Sequence, residues 1–180
     1  MKELSLNILD VAKNSVSAGA SLVKITLLTD TEGWLTLRIA DNGCGMTEET
    51  LNRVTDPFYT TRTTRRVGLG LPLLKLAAEQ TGGTLRIAST VEPNKSGTIV
   101  EAIFNTNSID CMPIGDIVST VCILVAGSPK IDFEFCDESP ERIVSLKTKD
   151  LREILGNEIS LAEPEIQRWM KEYLTEQYAL

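Results

Sequence analysis

Residues 41–46, Asp-Asn-Gly-Cys-Gly-Met, and residues 67–72, Val-Gly-Leu-Gly-Leu-Pro, are the two stretches that decide the fold. The first follows a run with strand-like alternation, residues 34–40, and the second opens a helix-like run, residues 73–78. Glycine lets a backbone turn tightly and approach a flat ligand, and the N-terminus of a helix presents N–H groups that suit phosphates. The two corners therefore predict a pocket that holds a nucleotide by its base and by its phosphates.

The acidic corner has the residue types that an adenine pocket needs. The carboxylate of Asp41 can accept a hydrogen bond from an exocyclic amine such as that of adenine. Gly43 and Gly45 allow close backbone approach, and Met46 offers an adaptable apolar surface for a ring. The alternative is an ordinary acid at the end of a strand, because a DxGxG pattern alone is weak evidence.

The N-terminal stretch predicts an amphipathic helix, with apolar residues at three- and four-residue steps between residues 4 and 16 and with Gly19 at its C-terminal end. Asp10 and Asn14 are four residues apart and so share one face of this helix. They could be solvated helix residues. Two polar groups at this spacing on a largely apolar helix favour a functional site.

The hydroxyl-rich, basic segment at residues 56–66 predicts a loop without regular periodicity. Its threonine hydroxyls and arginine guanidinium groups could contact phosphate oxygens, and the alternative is a solvated surface loop. The segment lies directly before the helix start at Gly68 and Gly70, which favours the phosphate-binding interpretation. The GK[ST] signature of a Walker loop is missing, so the site belongs to another class.

The first 105 residues follow the order helix, two strands, short helix, loop, helix and two strands. This order predicts an α/β (α+β) two-layer sandwich, with a mixed, mainly antiparallel sheet and helices on one face. A polar break after residue 104 separates a predicted domain at residues 1–105 from a small α+β C-terminal extension at residues 106–180.

The extension carries no recognisable chemical motif, and its role is open. Its predicted elements are helices at residues 114–126, 149–155 and 164–177 and strands at residues 131–135 and 142–146. One apolar face of the last helix is expected to pack on the first region or on a partner, and this face is predicted to contain Ile166, Trp169, Met170 and Tyr173.

The composition limits the functions that the chain can have. The formal net charge of −7 argues against a nucleic-acid surface, because such surfaces usually carry basic patches. No stretch reaches the roughly 18 apolar residues that a membrane span needs, and residues 1–5 lack a signal pattern. The sequence therefore predicts a cytoplasmic protein that binds neither nucleic acid nor membrane.

The 180 residues contain no histidine. This excludes Ser-His and Cys-His catalysis, and a histidine phosphoacceptor, within these residues. The cysteines form no CxxC pair and have no histidine to complete a zinc site, so they are expected to be buried free thiols. They are Cys44, Cys111, Cys122 and Cys136.

Five motifs in this order resemble those of the ATPase superfamily that includes gyrase B subunits, ninety-kilodalton heat-shock chaperones, sensor histidine kinases and MutL, which share the Bergerat ATP-binding fold. The resemblance extends over residues 4–104. It consists of an N box at residues 10–20, a G1 box at 41–46, a kinase-like F box at 57–62, a G2 box at 68–72 and a late Gly97-Thr98. Each motif is weak alone, but five in the correct order and spacing are highly specific.

The resemblance implies a role for individual residues at an ATP–Mg²⁺ site. Asn14 is similar to the asparagine that binds Mg²⁺, and Asp41 to the acid that recognises the adenine amino group. Asp10 stands where the hydrolysing branches carry a glutamate general base, although aspartate is one methylene shorter. The other residues that the resemblance assigns to nucleotide binding are Gly43, Gly45, Met46 and Thr98 around the base, and Phe58, Thr60, Thr61, Arg62, Gly68, Leu69, Gly70 and Leu71 in the lid and at its phosphate-facing end.

Three functions are compatible with such a site. The first is a stand-alone protein kinase subunit that phosphorylates a separate partner in trans, which the kinase-like F and G2 boxes favour and which the absence of histidine requires to act on another chain. The second is a slow ATPase that works as a conformational switch, as in MutL, and the third is a non-catalytic nucleotide sensor. The expected partners are ATP and a protein, and a homodimer is left open.

Overall fold

A computed structural model of the chain describes residues 3–56, 70–156 and 159–179. The strands are β1 (Leu22–Thr29), β2 (Trp34–Asp41), β3 (Thr84–Thr90), β4 (Gly97–Asn105), β5 (Asp132–Glu138) and β6 (Ile143–Lys147). The helices are α1 (Leu4–Ser17), α2 (Glu48–Arg53), α3 (Gly70–Gln80), α4 (Ile117–Gly127), α5 (Thr148–Leu155) and α6 (Pro164–Ala179).

The strands form one six-stranded sheet in the order β3-β4-β2-β1-β5-β6. Strands β1 and β5 pair in parallel, whereas the other neighbouring pairs are antiparallel. The predicted mixed, mainly antiparallel α+β architecture is confirmed. Strands β5 and β6 lie after residue 105 and continue the same sheet. The division of the chain into a domain at residues 1–105 and an extension at residues 106–180 stays a prediction.

One face of the sheet is buried, as the period-two alternation predicts. In β1, Val23, Ile25 and Leu27 are buried, whereas Lys24 and Leu28 on the opposite face are exposed. The buried residues join those of α1, α3, α4 and α6 in one hydrophobic core. Helix α1 packs between α3 and α4, and α6 packs beside α4.

The segment after residue 105 holds the beginning of α1. The backbone N–H groups of Leu4 and Ser5 donate to the carbonyl oxygens of Pro113 and Ile114 at 3.0 and 2.8 Å. The first N–H groups of a helix have no partner within the helix, so these two carbonyls satisfy donors that would otherwise need water. The extension is thus in direct contact with the helix that carries Asp10 and Asn14.

Helix α4 begins at Ile117, three residues after the predicted start. Gly115 has a φ of +77°, which a right-handed helix does not allow. Asp116 then caps the helix, because its side chain accepts a hydrogen bond from the backbone N–H of Ser119.

The predicted packing face of α6 is wrong for two of its four residues. Met170 and Leu174 are fully buried, whereas Trp169 and Tyr173 are exposed and stack on each other with ring centroids 5.0 Å apart. The buried stripe follows four-residue steps from Ile166, and position 169 lies about 100° of helix rotation from position 170. The apolar character of Trp169 and Tyr173 was mistaken for burial.

The four cysteines are free, as predicted, but only Cys122 is buried. Cys44 is exposed, so the prediction of burial is wrong there. Burial raises the pKa of the Cys122 thiol, which keeps it protonated at neutral pH.

None of the helices within the described ranges is both long enough and apolar enough to span a membrane.

Replacing Tyr178 with Phe is expected to lower the free energy of unfolding by about 2 kcal/mol, because the Tyr178 hydroxyl donates at 2.6 Å to the buried carboxylate of Asp137. Burial and this hydrogen bond raise the pKa of Tyr178 above its ordinary value. A raised pKa favours the neutral phenol in the folded state, so the stabilisation is complete below about pH 10 and declines as the pH rises further. Urea unfolding at pH 7 and pH 10.5 measures both effects.

The exposed Tyr173 provides the matched control, and its replacement by Phe should change stability little at either pH. The difference between wild type and the Tyr178→Phe variant should shrink at the higher pH. A difference that is equal at both pH values would contradict the assignment.

Candidate functional site

Asp41, the last residue of β2, is held by two hydrogen-bond donors. The Ser15 hydroxyl donates to Oδ2 at 2.6 Å, and the backbone N–H of Gly43 donates to Oδ1 at 2.9 Å. An ionised carboxylate accepts hydrogen bonds but donates none. The arrangement therefore fixes an acceptor at the end of β2, with unused lone pairs on both oxygens.

Thr98 lies directly opposite Asp41 in the β2–β4 pair. Its hydroxyl is 2.9 Å from that of Ser89 on β3, which also donates to the carbonyl of Gly97 at 2.9 Å. Ser89 in addition accepts a hydrogen bond from the backbone N–H of Met46 at 2.8 Å. A single serine thus joins the loop after β2 to the strand that carries Thr98.

The loop at residues 41–46 is packed too closely for side chains at its glycines. Gly45 has a φ of +72°, and a Cβ there would lie 2.7 Å from the carbonyl carbon of Thr90 and overlap the carbonyl oxygen. On the other side, the Cys44 N–H donates to the carbonyl of Ala18 at 2.9 Å. The loop is therefore fixed between the end of α1 and the β3–β4 hairpin.

Asp10 lies on α1 beside the beginning of α3, and Asn14 lies one helical turn further along α1. A Cβ at Gly70, the first residue of α3, would be 3.5 Å from the Cβ of Asp10 and 3.9 Å from its Oδ2. Asp10 and Asn14 are both half-buried. The helix N-terminus that could accept phosphate groups therefore lies next to the polar face of α1.

The predicted site residues fall into two groups in the described structure. Around Asp41 the structure places Gly43, Gly45, Met46 and Thr98, and around Asp10 it places Asn14 and Gly70. Leu71 is buried in the core, so its side chain is a packing residue. The remaining predicted residues, Phe58, Thr60, Thr61, Arg62, Gly68 and Leu69, lie outside the described residues.

Sequence reasoning missed Ser15 and Ser89. Ser15 directly follows Asn14 within the N box at residues 10–20, and this position is a signal from which it could have been predicted. Ser89 has no local signal, because it acts on Met46, 43 positions earlier. Its role becomes visible only when β3 and β4 are paired in register.

A magnesium ion fits this site only as a nucleotide-bound ion. The described residues contain no group of three or more Asp, Glu, Cys or His side chains that could hold a metal by themselves. Magnesium commonly takes one or two protein oxygen ligands and completes its coordination with phosphate and water. The carboxamide of Asn14, one helical turn from Asp10 on α1, would supply one such oxygen ligand.

The described structure is an α+β sandwich with Asp41 held at the end of β2 and Asp10 beside the first described residue of α3. The chain belongs to the family of histidine kinase-, DNA gyrase B- and HSP90-like ATPases, whose pattern matches residues 1–108. The resemblance found in the motifs is confirmed, and membership of this family implies that the domain binds ATP.

Two curated relatives match part of the chain. A putative sensor protein of Shewanella frigidimarina is 32% identical over 105 residues, covering 58% of this chain and 15% of the relative. The signal transduction histidine-protein kinase AtoS of Escherichia coli is 33% identical over 89 residues, covering 49% of this chain and 14% of the relative. The chain therefore matches only a small part of each of these longer proteins.

Two solved structures share the fold over most of the chain. The N-terminal domain of a DNA repair protein superposes with a TM-score of 0.58 at 15% identity, covering 87% of this chain and 58% of the other. The MutL ATPase domain of Aquifex aeolicus complexed with ADP superposes with a TM-score of 0.54 at 13% identity, covering 98% of this chain and 70% of the other. At these identities the likeness concerns the fold alone.

Proposed function

We propose that this chain binds ATP with Mg²⁺ and transfers the γ-phosphate to a separate protein. The observation that carries the proposal is the course of α1, which connects both ends of the site. Its Ser15 donates a hydrogen bond to Asp41 at the proposed base end, and its Asp10 lies beside Gly70 of α3 at the proposed phosphate end. A single rigid helix thus sets the distance between a base acceptor and a phosphate-binding helix start.

Each residue has a role that follows from its position. The carboxylate of Asp41 accepts a hydrogen bond from the adenine amino group, while Thr98, Gly45 and Met46 line the base pocket. Asn14 holds the Mg²⁺ ion, which would neutralise charge on the phosphates when bound. The motif residues that the resemblance assigns to a phosphate-facing lid, 57–62 and 68–69, lie outside the described residues.

The acceptor of the phosphate is proposed to lie outside these residues. The 180 residues contain no histidine, so a histidine acceptor must be supplied by another polypeptide or segment, and a serine acceptor on a partner is equally compatible. The similarity in sequence to proteins named as sensors and a histidine kinase supports transfer.

The test has two stages. In the first stage, calorimetry should detect ATP binding that strengthens with Mg²⁺. In the second, the protein is incubated with γ-³²P-labelled ATP and with the proteins that co-purify with it, and ³²P should appear on one of those partners. The Asp41→Asn variant serves as the negative control for labelling. Binding without any labelled partner would reject the transfer, and binding without labelling or phosphate release would favour a nucleotide sensor.

A second candidate function, a slow switch ATPase, is favoured by the position of Asp10 beside Gly70. If Asp10 activates water, the Asp10→Asn variant should lower kcat for ATP hydrolysis by about 10²-fold, because a removed general base costs about that much, and it should bind ATP as tightly as wild type. A phosphate-release assay and calorimetry measure the two quantities.

The Asp10→Glu variant supplies the missing methylene and should hydrolyse ATP at least as fast as wild type. An equal kcat for ATP hydrolysis in wild type and in the Asp10→Asn variant would show that Asp10 is not a general base. The argument for the switch ATPase would then fail.

A further inference from the structure

Ser15 connects the nucleotide-facing helix to the base-recognising acid. It lies on α1 between Asn14 and the core and is only 4% exposed. Its hydroxyl donates to Oδ2 of Asp41 at 2.6 Å, across 26 positions of sequence. A contact this short and this buried fixes both side chains relative to each other.

The hydrogen bonds of Asp41 leave little freedom to its carboxylate. Gly43 N–H is bound to one oxygen and the Ser15 hydroxyl to the other. Both neighbours act as donors to an acceptor-only group, so the plane of the carboxylate is determined from both sides. Gly43 donates from its backbone N–H, which a side-chain substitution does not remove. The hydroxyl of Ser15 is therefore the donor that a substitution can take away.

We propose that Ser15 is a positioning residue that makes the site selective for a purine with an amino group at its six-position, an inference that rests on the proposed function. Held by Ser15, the carboxylate directs a lone pair at the position of the amino group. A six-oxo purine places an acceptor there, and two acceptors repel. Without Ser15 the carboxylate can rotate and accept from water, so the penalty on the six-oxo purine falls.

The test compares ATP with inosine triphosphate, which carries an oxo group in place of the amino group. In the Ser15→Ala variant, calorimetry should show a Kd for ATP about 10-fold higher than in wild type, as expected for the loss of one charge-assisted hydrogen bond. The Kd for inosine triphosphate should change less than about 2-fold, so the selectivity ratio should fall by at least about 5-fold. The Ser15→Thr variant, which keeps the hydroxyl, should restore the ratio.

Ser5 provides a matched control on the same helix. It is equally buried, and its hydroxyl also donates to a carboxylate, Oε2 of Glu3 at 3.3 Å. The Ser5→Ala variant should leave the selectivity ratio unchanged even if it lowers the melting temperature. A general loss of helix packing would therefore appear in both variants, whereas a positioning effect appears in one.

The outcomes separate this inference from the proposed function. A wild-type protein that binds neither nucleotide, or binds both equally, overturns the assignment of Asp41 and the proposed function. A wild-type protein that prefers ATP and a Ser15→Ala variant that keeps the full ratio overturn the role of Ser15 alone. Should the alanine variant fail to fold, the Ser15→Cys variant keeps the volume with a weaker donor, and an unchanged ratio there is equally decisive.

Discussion

Replacing Asp41 with Asn should weaken ATP binding by about 10- to 100-fold, which corresponds to about 1.5–3 kcal/mol for a hydrogen bond to a charged group. An asparagine at this position has one acceptor oxygen and one donor NH₂ group. Because Ser15 and Gly43 both donate to the carboxylate, the NH₂ group would face one donor or the other. The variant therefore loses the charge and also disturbs the pair of hydrogen bonds that orient it.

Calorimetry with ATP and GTP measures this loss, and the preference for ATP over GTP should disappear. Asp30 offers a matched control, because it too accepts backbone hydrogen bonds, from Glu32 and Trp34 at 2.9 and 2.8 Å. It lies in the exposed turn at the opposite end of β2, so the Asp30→Asn variant should bind ATP as wild type does. An Asp41→Asn variant that still prefers ATP to GTP would reject the assignment of the base end.

The features that the sequence predicted well are those with a local physical cause. The alternation of residues 34–40 predicted β2 and its buried face, which holds Leu35, Leu37 and Ile39. The glycine-rich turn at residues 41–46 was likewise predicted from nearby residues, and the structure gives Gly45 a φ of +72° there, whereas the assignment of the two glycine-rich corners to one pocket stays a prediction.

The features that it could not predict depend on distant pairings. Strand β5 joins β1 in parallel, placing Phe133 beside Val23, and no local pattern specifies that partner. Ser89 reaches Met46 only because β3 and β4 bring them together. The prediction for the packing face of α6 failed for a different reason. The apolar character of Trp169 and Tyr173 makes burial of their side chains favourable, but the positions of the neighbouring elements decide which side chains of α6 are buried.

Helix α1 contacts both the extension and the loop at residues 41–46. Helix α1 begins under the carbonyls of Pro113 and Ile114 and ends where the Ala18 carbonyl accepts from the Cys44 N–H. Between these two points it carries Asp10, Asn14 and Ser15. The extension therefore contacts the first turn of the same helix that carries the residues proposed to bind the nucleotide.

Replacing Gly45 with Ala should have the second large effect, an increase of about 100-fold or more in the Kd for ATP. The added methyl group would overlap the carbonyl oxygen of Thr90 and approach that of Gly97 to 3.3 Å. Backbone atoms of a paired hairpin cannot yield as a flexible side chain does, so the loop at residues 41–46 must move away. That movement separates Asp41 from Thr98, and a displacement of about 1 Å is enough to cost two orders of magnitude in a positioned site.

The Gly82→Ala variant is the control that distinguishes this steric overlap from backbone strain alone. The φ of Gly82, +82°, is close to the +72° of Gly45, but a Cβ there meets no atom within 4 Å. In both alanine variants the left-handed backbone conformation should lower the free energy of unfolding by about 1–2 kcal/mol. Only the Gly45→Ala variant should also lose affinity for ATP. Urea unfolding and calorimetry on the two variants give the comparison, and ATP binding by the Gly45→Ala variant at wild-type affinity would mean that the loop does not form the base pocket. The difference between the two variants therefore measures what close packing of this loop contributes to recognition of the nucleotide, independently of the hydrogen bonds of Asp41.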